Sequence, residues 1–120
     1  MSVYTLGQAY DDLTWFHAGA MTLIAGMPVT VRGAGKYSIR VAHPETLEQS
    51  IPNPTEIEQV RSILATVFDE LIENVETSHK SQIMALQTRL EIEMRQNAEP
   101  KFNALGLQIT KLTIEQLQAI

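Results

Sequence analysis

Residues 27–44 read MPVTVRGAGKYSIRVAHP, and the alternation within this stretch decides the fold. Val29, Val31, Tyr37, Ile39 and Val41 are apolar at odd positions, while Thr30, Arg32, Lys36, Ser38 and Arg40 are polar at even ones. Successive side chains of a strand point to opposite faces, so the pattern specifies one buried and one solvated face. Gly33 and Gly35 fall on odd positions, which leaves the phase unbroken. A hairpin through Arg32-Gly33-Ala34-Gly35 is the alternative, because glycine suits turns. The continuous phase favours one long strand, bent or closely approached where the glycines lack side chains.

Beyond this strand, His43-Pro44-Glu45-Thr46 opens a short helix. The missing N–H of proline costs nothing in a first turn, and Glu45 and Glu48 suit the positive end of the helix dipole. Ile51-Pro52-Asn53-Pro54 is a loop, since two prolines so close do not fit inside a helix. Thr55-Glu56-Ile57-Glu58 has the spacing of a capping box, with the Thr55 hydroxyl accepting from the Glu58 N–H and the Glu58 carboxylate reaching back. The helix it opens extends to about Val75. Ile57, Val60, Ile63, Leu64, Val67, Phe68, Leu71, Ile72 and Val75 recur at three and four and form a wide apolar stripe. Glu58, Arg61, Asp69, Glu73 and Glu76 occupy the remainder.

Thr77-Ser78-His79-Lys80-Ser81 interrupts the stripe and supplies N-caps for a second helix from Ser81. That helix carries Ile83, Leu86, Leu90 and Met94 inward, with Gln82, Arg89, Glu93 and Gln96 outward. Pro100 is expected to end or kink it, Lys101 to Leu105 to add a last turn, and Gly106 to stop it in the left-handed conformation. The closing strand runs from Leu107 to Ile114. Its apolar residues are odd at Leu107 and Ile109 but even at Leu112 and Ile114. A one-residue slip turns every later side chain over, which predicts a bulge near Thr110-Lys111 or an exchange of buried face.

Upstream, residues 1–27 hold three short strand patterns, Val3 to Leu6, Leu13 to Phe16 and Met21 to Ile24. Leu13 to Val31 is nineteen residues without a formal charge, near the length that spans a bilayer. His17, Gly19, Gly26, Pro28 and three threonines dilute its hydropathy, and its end runs into the alternating strand. The reading is buried strands with loops.

The whole chain has 120 residues, one domain's worth, enough to bury about two thirds of its unfolded surface. Apolar content of 44% and charged content of 19% fit a folded protein. A net charge of -5 argues against a nucleic-acid backbone as partner and against electrostatic docking on an anionic bilayer. The absence of cysteine rules out disulfides and thiolate metal sites and is compatible with a reducing compartment. No Lys or Arg precedes Arg32, so the basic region of a secretory signal is missing.

Chemistry-bearing residues are sparse. His17, His43 and His79 are lone residues in three segments, whereas a metal site needs converging ligands. Glu76 precedes His79 by three, but across a helix break. Asp69 and Glu73 lie opposite the apolar stripe, on a solvated face, where nothing perturbs a carboxylate for acid–base work. Gly33-Ala34-Gly35-Lys36 has strand on both sides instead of a helix start, so it is not a phosphate loop, and Gly19 to Gly26 has no helix start behind it. No Ser or Thr has a base partner by sequence. The methionines are scattered, and the helix stripes suit packing on a sheet better than a coiled-coil seam. No catalytic, cofactor-binding or metal residue is assigned, and a non-enzymatic protein is expected.

The order of these pieces carries a family resemblance. Pro28 to Pro44 resembles the strand of SPFH (band 7) domains, the stomatin–prohibitin–flotillin family: a valine alternation, a glycine, an aromatic-x-x-Arg-Val here spelled Tyr37-Ser38-Ile39-Arg40-Val41, and a proline opening a small helix. The segments from Thr55 to about Val75 and from Ser81 to Leu105 are similar to the family's next two helices. Gly106-Leu107-x-Ile109-x-x-Leu112-x-Ile114 is similar to its closing strand, phase slip included. The match covers about Val29 to Leu117, and its specificity lies in the order of four features. Val3-Tyr4 and Leu13-Thr14-Trp15 look most like a bacterial soluble branch. His43 stands where an acidic N-cap is usual, which weakens that cap. The family's first strands, membrane-associating segment and long coiled coil are not found here, which suggests a reduced or shortened form. Membrane anchoring is carried over to no residue.

The expectation is one α+β domain over residues 1–120, with N-terminal strands in 1–27 and the family-like core in 28–120. An antiparallel or mixed sheet carries two main helices on one face. The resemblance implies a non-catalytic scaffold module that self-assembles and organises proteins at a membrane, cytoplasmic and peripheral at the inner face in its full-length context. Two free sheet edges would be templates for another chain, so a homo-oligomer is expected, with a further protein partner, no nucleic acid and no small-molecule substrate. The alternative is a soluble module that docks a partner through a helix face or sheet edge without self-assembly. A small hydrolase would need a buried carboxylate or a His–Ser pair in a pocket.

Overall fold

Three strands pair antiparallel in the order β1-β2-β3: β1 Ala9–Ile24, β2 Met27–Val41 and β3 Leu107–Ala119. The structure is a computed structural model and describes residues 2–75 and 82–120. Helices α1 Pro44–Ser50, α2 Arg61–Glu73 and α3 Gln87–Ala104 lie between β2 and β3 in the chain, with 3-10 turns at Pro54–Val60 and Met84–Leu86. The fold is α+β, with α2 packed over β1, α3 over β3, and the two helices against each other. No helix among the described residues is long and apolar enough to cross a membrane.

The alternation of β2 holds over its whole length. Val29, Val31, Tyr37, Ile39 and Val41 are buried under the helices, and Gly33 and Gly35 continue the same face. The hairpin is at Ala25 and Gly26, whose φ values of 52° and 78° match the left-handed pair that a two-residue turn requires. The glycines of β2 are sites of close approach. A Cβ on Gly33 would meet the Phe68 ring, and one on Gly35 would meet the Thr113 carbonyl and the Trp15 indole.

Two expectations for residues 1–27 are corrected. Val3 to Leu6 forms no strand. Tyr4 is instead a buried anchor whose hydroxyl donates to the Ile51 carbonyl at 2.7 Å, while Ser2 Oγ donates to the Pro44 carbonyl at 3.1 Å. Leu13 to Phe16 and Met21 to Ile24 are parts of one strand. A register shift between His17 and Ala20 joins them. Ahead of it Leu13, Trp15 and His17 turn toward the helices, and after it Ala20, Thr22 and Ile24 do. This change of phase made one strand read as two.

The bulge foreseen near Thr110 is present. Ile39 pairs with Ile109 and Ser38 with Lys111, so Thr110 is the extra residue. A second bulge follows at Glu115, between the pairs Gly35–Ile114 and Ala34–Gln116. Together they keep Leu107, Ile109, Leu112, Ile114 and Leu117 all buried. Hydroxyl groups repair the ladder at the bulges: Thr110 Oγ1 donates to the Ser38 carbonyl, Ser38 Oγ accepts from the Asp12 N–H, and Thr113 Oγ1 accepts from the Lys36 N–H.

The helices depart from expectation at their starts. Residues 54–60 are 3-10, and α2 begins only at Arg61. The capping box does not form. Asn53 is the cap, accepting from the Thr55 N–H at 3.1 Å and from the Thr55 hydroxyl at 2.9 Å, because Pro54 takes the first helical position and asparagine is a stronger cap than threonine. The helix also ends at Glu73, short of Val75. Helix α3 starts at Gln87, after a 3-10 turn, and runs through Pro100 to Ala104, so the proline does not end it. Gly106, with φ +89°, stops the chain's helical run as expected. Glu76, Thr77, Ser78, His79, Lys80 and Ser81 lie outside the described residues.

Candidate functional site: two unequal sheet edges

The singled-out residues disperse. His43 is the N-cap position of α1 and makes no side-chain capping bond, as its departure from an acidic cap implies. His79 lies outside the described residues. Gly33-Ala34-Gly35-Lys36 lies in the middle of β2, with strand on both sides. Among the described residues no group of three or more His, Asp or Glu side chains converges.

His17 is the exception that spacing did not disclose. Its Nε2 lies 3.2 Å from Asp69 Oδ1, its Nδ1 accepts from the Gly19 N–H at 3.0 Å, and its ring packs against Phe68 at 5.8 Å between centroids. Both ring nitrogens are engaged, one of them by the backbone of the bulge. The chemistry of this arrangement is mechanical: it pins the β1 bulge to α2. Asp69 and Glu73, paired by sequence, do different things, since Asp69 is drawn to His17. Burial acts on the ionisation of Tyr37. Burial foremost, and Glu58 next, push its hydroxyl up to about 12, against the opposing effect of Arg61.

The informative geometry is at the sheet edges. Even residues of β2 bond toward β3: Lys36 N–H to Thr113 Oγ1, and the Ile120 N–H to the Thr30 carbonyl at 2.8 Å. Odd residues bond toward β1 and the segment leading into it, as Val41 does with Gly7 and Gln8. In an antiparallel ladder the residues opposite each other exchange both bonds, and the next pair turns its groups away. It follows that on β3 the helix-facing residues direct N–H and C=O outward, and on β1 the open-face residues Thr14, Phe16, Met21 and Leu23 do.

The outward edge of β3 is occupied at Ile109 and Ile114. Glu91 Oε2 accepts from the Ile114 N–H at 2.9 Å, Gln87 Nε2 donates to the Ile114 carbonyl, and Arg95 Nη2 donates to the Ile109 carbonyl at 3.4 Å. Gln87, Glu91 and Arg95 are successive turns of α3, so one polar stripe of the helix lies along the strand. Sequence reading placed Arg89, Glu93 and Gln96 outward but missed this stripe. The i, i+4, i+8 spacing of polar residues beside the apolar stripe was its only signal.

The edge of β1 differs. The side-chain hydrogen bonds to its backbone fall at the bulges: Ser38 to the Asp12 N–H, His17 to the Gly19 N–H, and Arg32 Nε to the Ala18 carbonyl. They leave the outward groups of Thr14, Phe16, Met21 and Leu23 without a described side-chain partner. The same residues present apolar surface, with Phe16 60%, Met21 57% and Leu23 66% exposed. Among the described residues the two edges are therefore unequal: a stripe of α3 bonds to β3 at Ile109 and Ile114, and no described helix side chain bonds to the outward groups of β1.

No family model matches the chain, and no curated protein does.

Proposed function

We propose that this chain is a non-catalytic scaffold module that associates with itself and organises other proteins at a membrane, in the manner the SPFH resemblance implies. The observation that carries the self-association is the edge position of β1, a row of backbone groups without a strand partner among the described residues, beside exposed Phe16, Met21 and Leu23. The non-catalytic part follows from the resemblance. The membrane part rests on the resemblance alone.

Sedimentation velocity over a wide concentration series tests the reading. Reversible association supports it; a monodisperse monomer at every concentration overturns it in favour of a module that docks a different protein on the same edge. Flotation with liposomes tests the membrane part, which fails if the assembled protein ignores lipid.

A further inference from the structure

We infer that the occupant of the β1 edge is β1 of a second copy, paired antiparallel about a two-fold axis between Ala18 and Gly19. This rests on the self-association reading and adds to it a partner strand, a register and a closed stoichiometry.

The register follows from the bulge. Before it, the open-face residues are Thr14 and Phe16; after it, they are Met21 and Leu23. A two-fold axis between Ala18 and Gly19 sets Phe16 opposite the partner's Met21 and Thr14 opposite the partner's Leu23. These are the four residues whose N–H and C=O groups point outward, so each pairing exchanges both hydrogen bonds. On the other face the same operation sets His17 against the partner's Ala20, Trp15 against the partner's Thr22 and Leu13 against the partner's Ile24. Both faces therefore match. A slip of one residue would set open-face side chains against helix-facing ones. A slip of two would keep the faces but press each bulge against regular strand and shorten the overlap. At the axis, the Ala18 carbonyl already accepts from Arg32 Nε at 3.2 Å and the Gly19 N–H already donates to His17, so these two groups need no partner across it.

The stoichiometry follows from the other edge. Joining two copies through β1 produces a six-stranded sheet whose two outer strands are both β3. Each is capped in its middle, at Ile109 and Ile114, by its own Gln87, Glu91 and Arg95, which blocks regular pairing there, so the assembly closes as an isologous dimer. The exposed Phe16, Met21 and Leu23 of the two copies then form one continuous apolar strip across the dimer.

The chain has no cysteine, which permits a direct test of register. Phe16→Cys and Met21→Cys proteins are prepared separately and mixed under mild oxidation. Directly opposed residues of a bonded pair lie about 5.5 Å apart at Cα, within disulfide range. The mixture should form disulfide-linked dimer at least about tenfold faster than either variant alone, since like positions are five residues out of register. Linkage that is no faster in the mixture, in a protein whose wild type associates, overturns the register and leaves self-association standing. A wild type that stays monomeric overturns both. Met21→Pro supplies a second measurement: its N–H points outward, so the fold should persist while association weakens at least about tenfold. Undiminished association of this variant, or its failure to fold, contradicts the assigned direction of the β1 edge.

Discussion

Trp15 Nε1 donates to the main-chain carbonyl of Thr113 at 3.0 Å, and in doing so ties one edge strand to the other across the backbone of Gly35. Trp15 and Gly35 are cross-strand partners, and the indole crosses the sheet where β2 has no side chain. The carbonyl is free to receive it because the bulge at Glu115 follows, while the Thr113 hydroxyl takes over the bonds to Lys36. Next to it the Phe68 ring lies over Gly33 and 5.4 Å from Trp15.

Gly35→Ala should therefore be the most damaging of small substitutions in β2. Its methyl collides with backbone, which does not yield as a flexible side chain does, and a loss of about 3 kcal/mol or more is expected in urea denaturation. Gly33→Ala meets a ring that can tilt and should cost about 1–3 kcal/mol. Equal or reversed effects would mean that the indole crossing does not organise the sheet. Trp15→Phe should cost about 1–3 kcal/mol beyond its lost volume, from the orphaned Thr113 carbonyl.

Tyr37 is fully buried, and its hydroxyl has no hydrogen-bond partner among the described residues. Tyr37→Phe should leave stability unchanged or raise it by up to about 1 kcal/mol. The hydroxyl also sets an alkaline limit. An unfolded tyrosine releases its proton near 10.0, while the folded one holds it up to about 12, so stability is intact below pH 10 and declines as pH rises between the two. Tyr37→Phe should flatten that decline in part. Tyr4, also raised chiefly by burial, maintains the rest. An unchanged alkaline profile would remove Tyr37 from the account.

At the His17 bulge, the backbone bond should matter more than the ion pair. Asp69 is 52% exposed, and such pairs contribute little, about 0–1 kcal/mol. The part-buried acceptor for the Gly19 N–H is harder to replace. His17→Asn, whose Oδ1 can stand in for Nδ1, should therefore be tolerated better than His17→Phe, which leaves the N–H without a partner at a cost of about 1–3 kcal/mol. Asp69→Asn should be close to neutral. A large Asp69 effect with a small difference between the two His17 variants would reverse this ranking.

Removing the stripe on α3 should expose the second edge. The double variant Gln87→Ala, Glu91→Ala frees both outward groups of Ile114. Light scattering should then detect species larger than a dimer, growing with concentration. Glu91→Gln retains an acceptor oxygen and should behave as wild type. If the double variant assembles no further than the parent protein, the stripe is not what limits growth.

Much of the fold was legible along the chain because it is written in short periods. The two-residue alternation of Val29 to Val41 specified a strand and its buried face. The phase slip after Ile109 pointed to a bulge near Thr110-Lys111 or an exchange of buried face, and Pro44 and Gly106 marked a helix start and a helix stop. Legibility failed where one signal had two physical origins. The phase change between His17 and Ala20 resembled a gap between strands, and Thr55-x-x-Glu58 matched a capping box that Asn53 and Pro54 pre-empted.

Of the candidate site, only its kind, a sheet edge, was legible; which edge was not, because that is made of relations and not of motifs. By itself the sequence determined which residues of β2 alternate, that a short helix opens at Pro44 and that Gly106 stops the last one, and that the chain forms an α+β domain. Only the tertiary structure decided that Gly35 is a crossing point for Trp15, that His17 meets Asp69, and that Gln87, Glu91 and Arg95 bond to β3 while no described helix side chain bonds to the outward groups of β1. The reason is the range of the interactions. Periodicity reflects the geometry of a few neighbouring peptides, whereas the bond from Trp15 to Thr113 joins residues 98 apart and exists only once packing has brought both edges of the sheet under the same two helices.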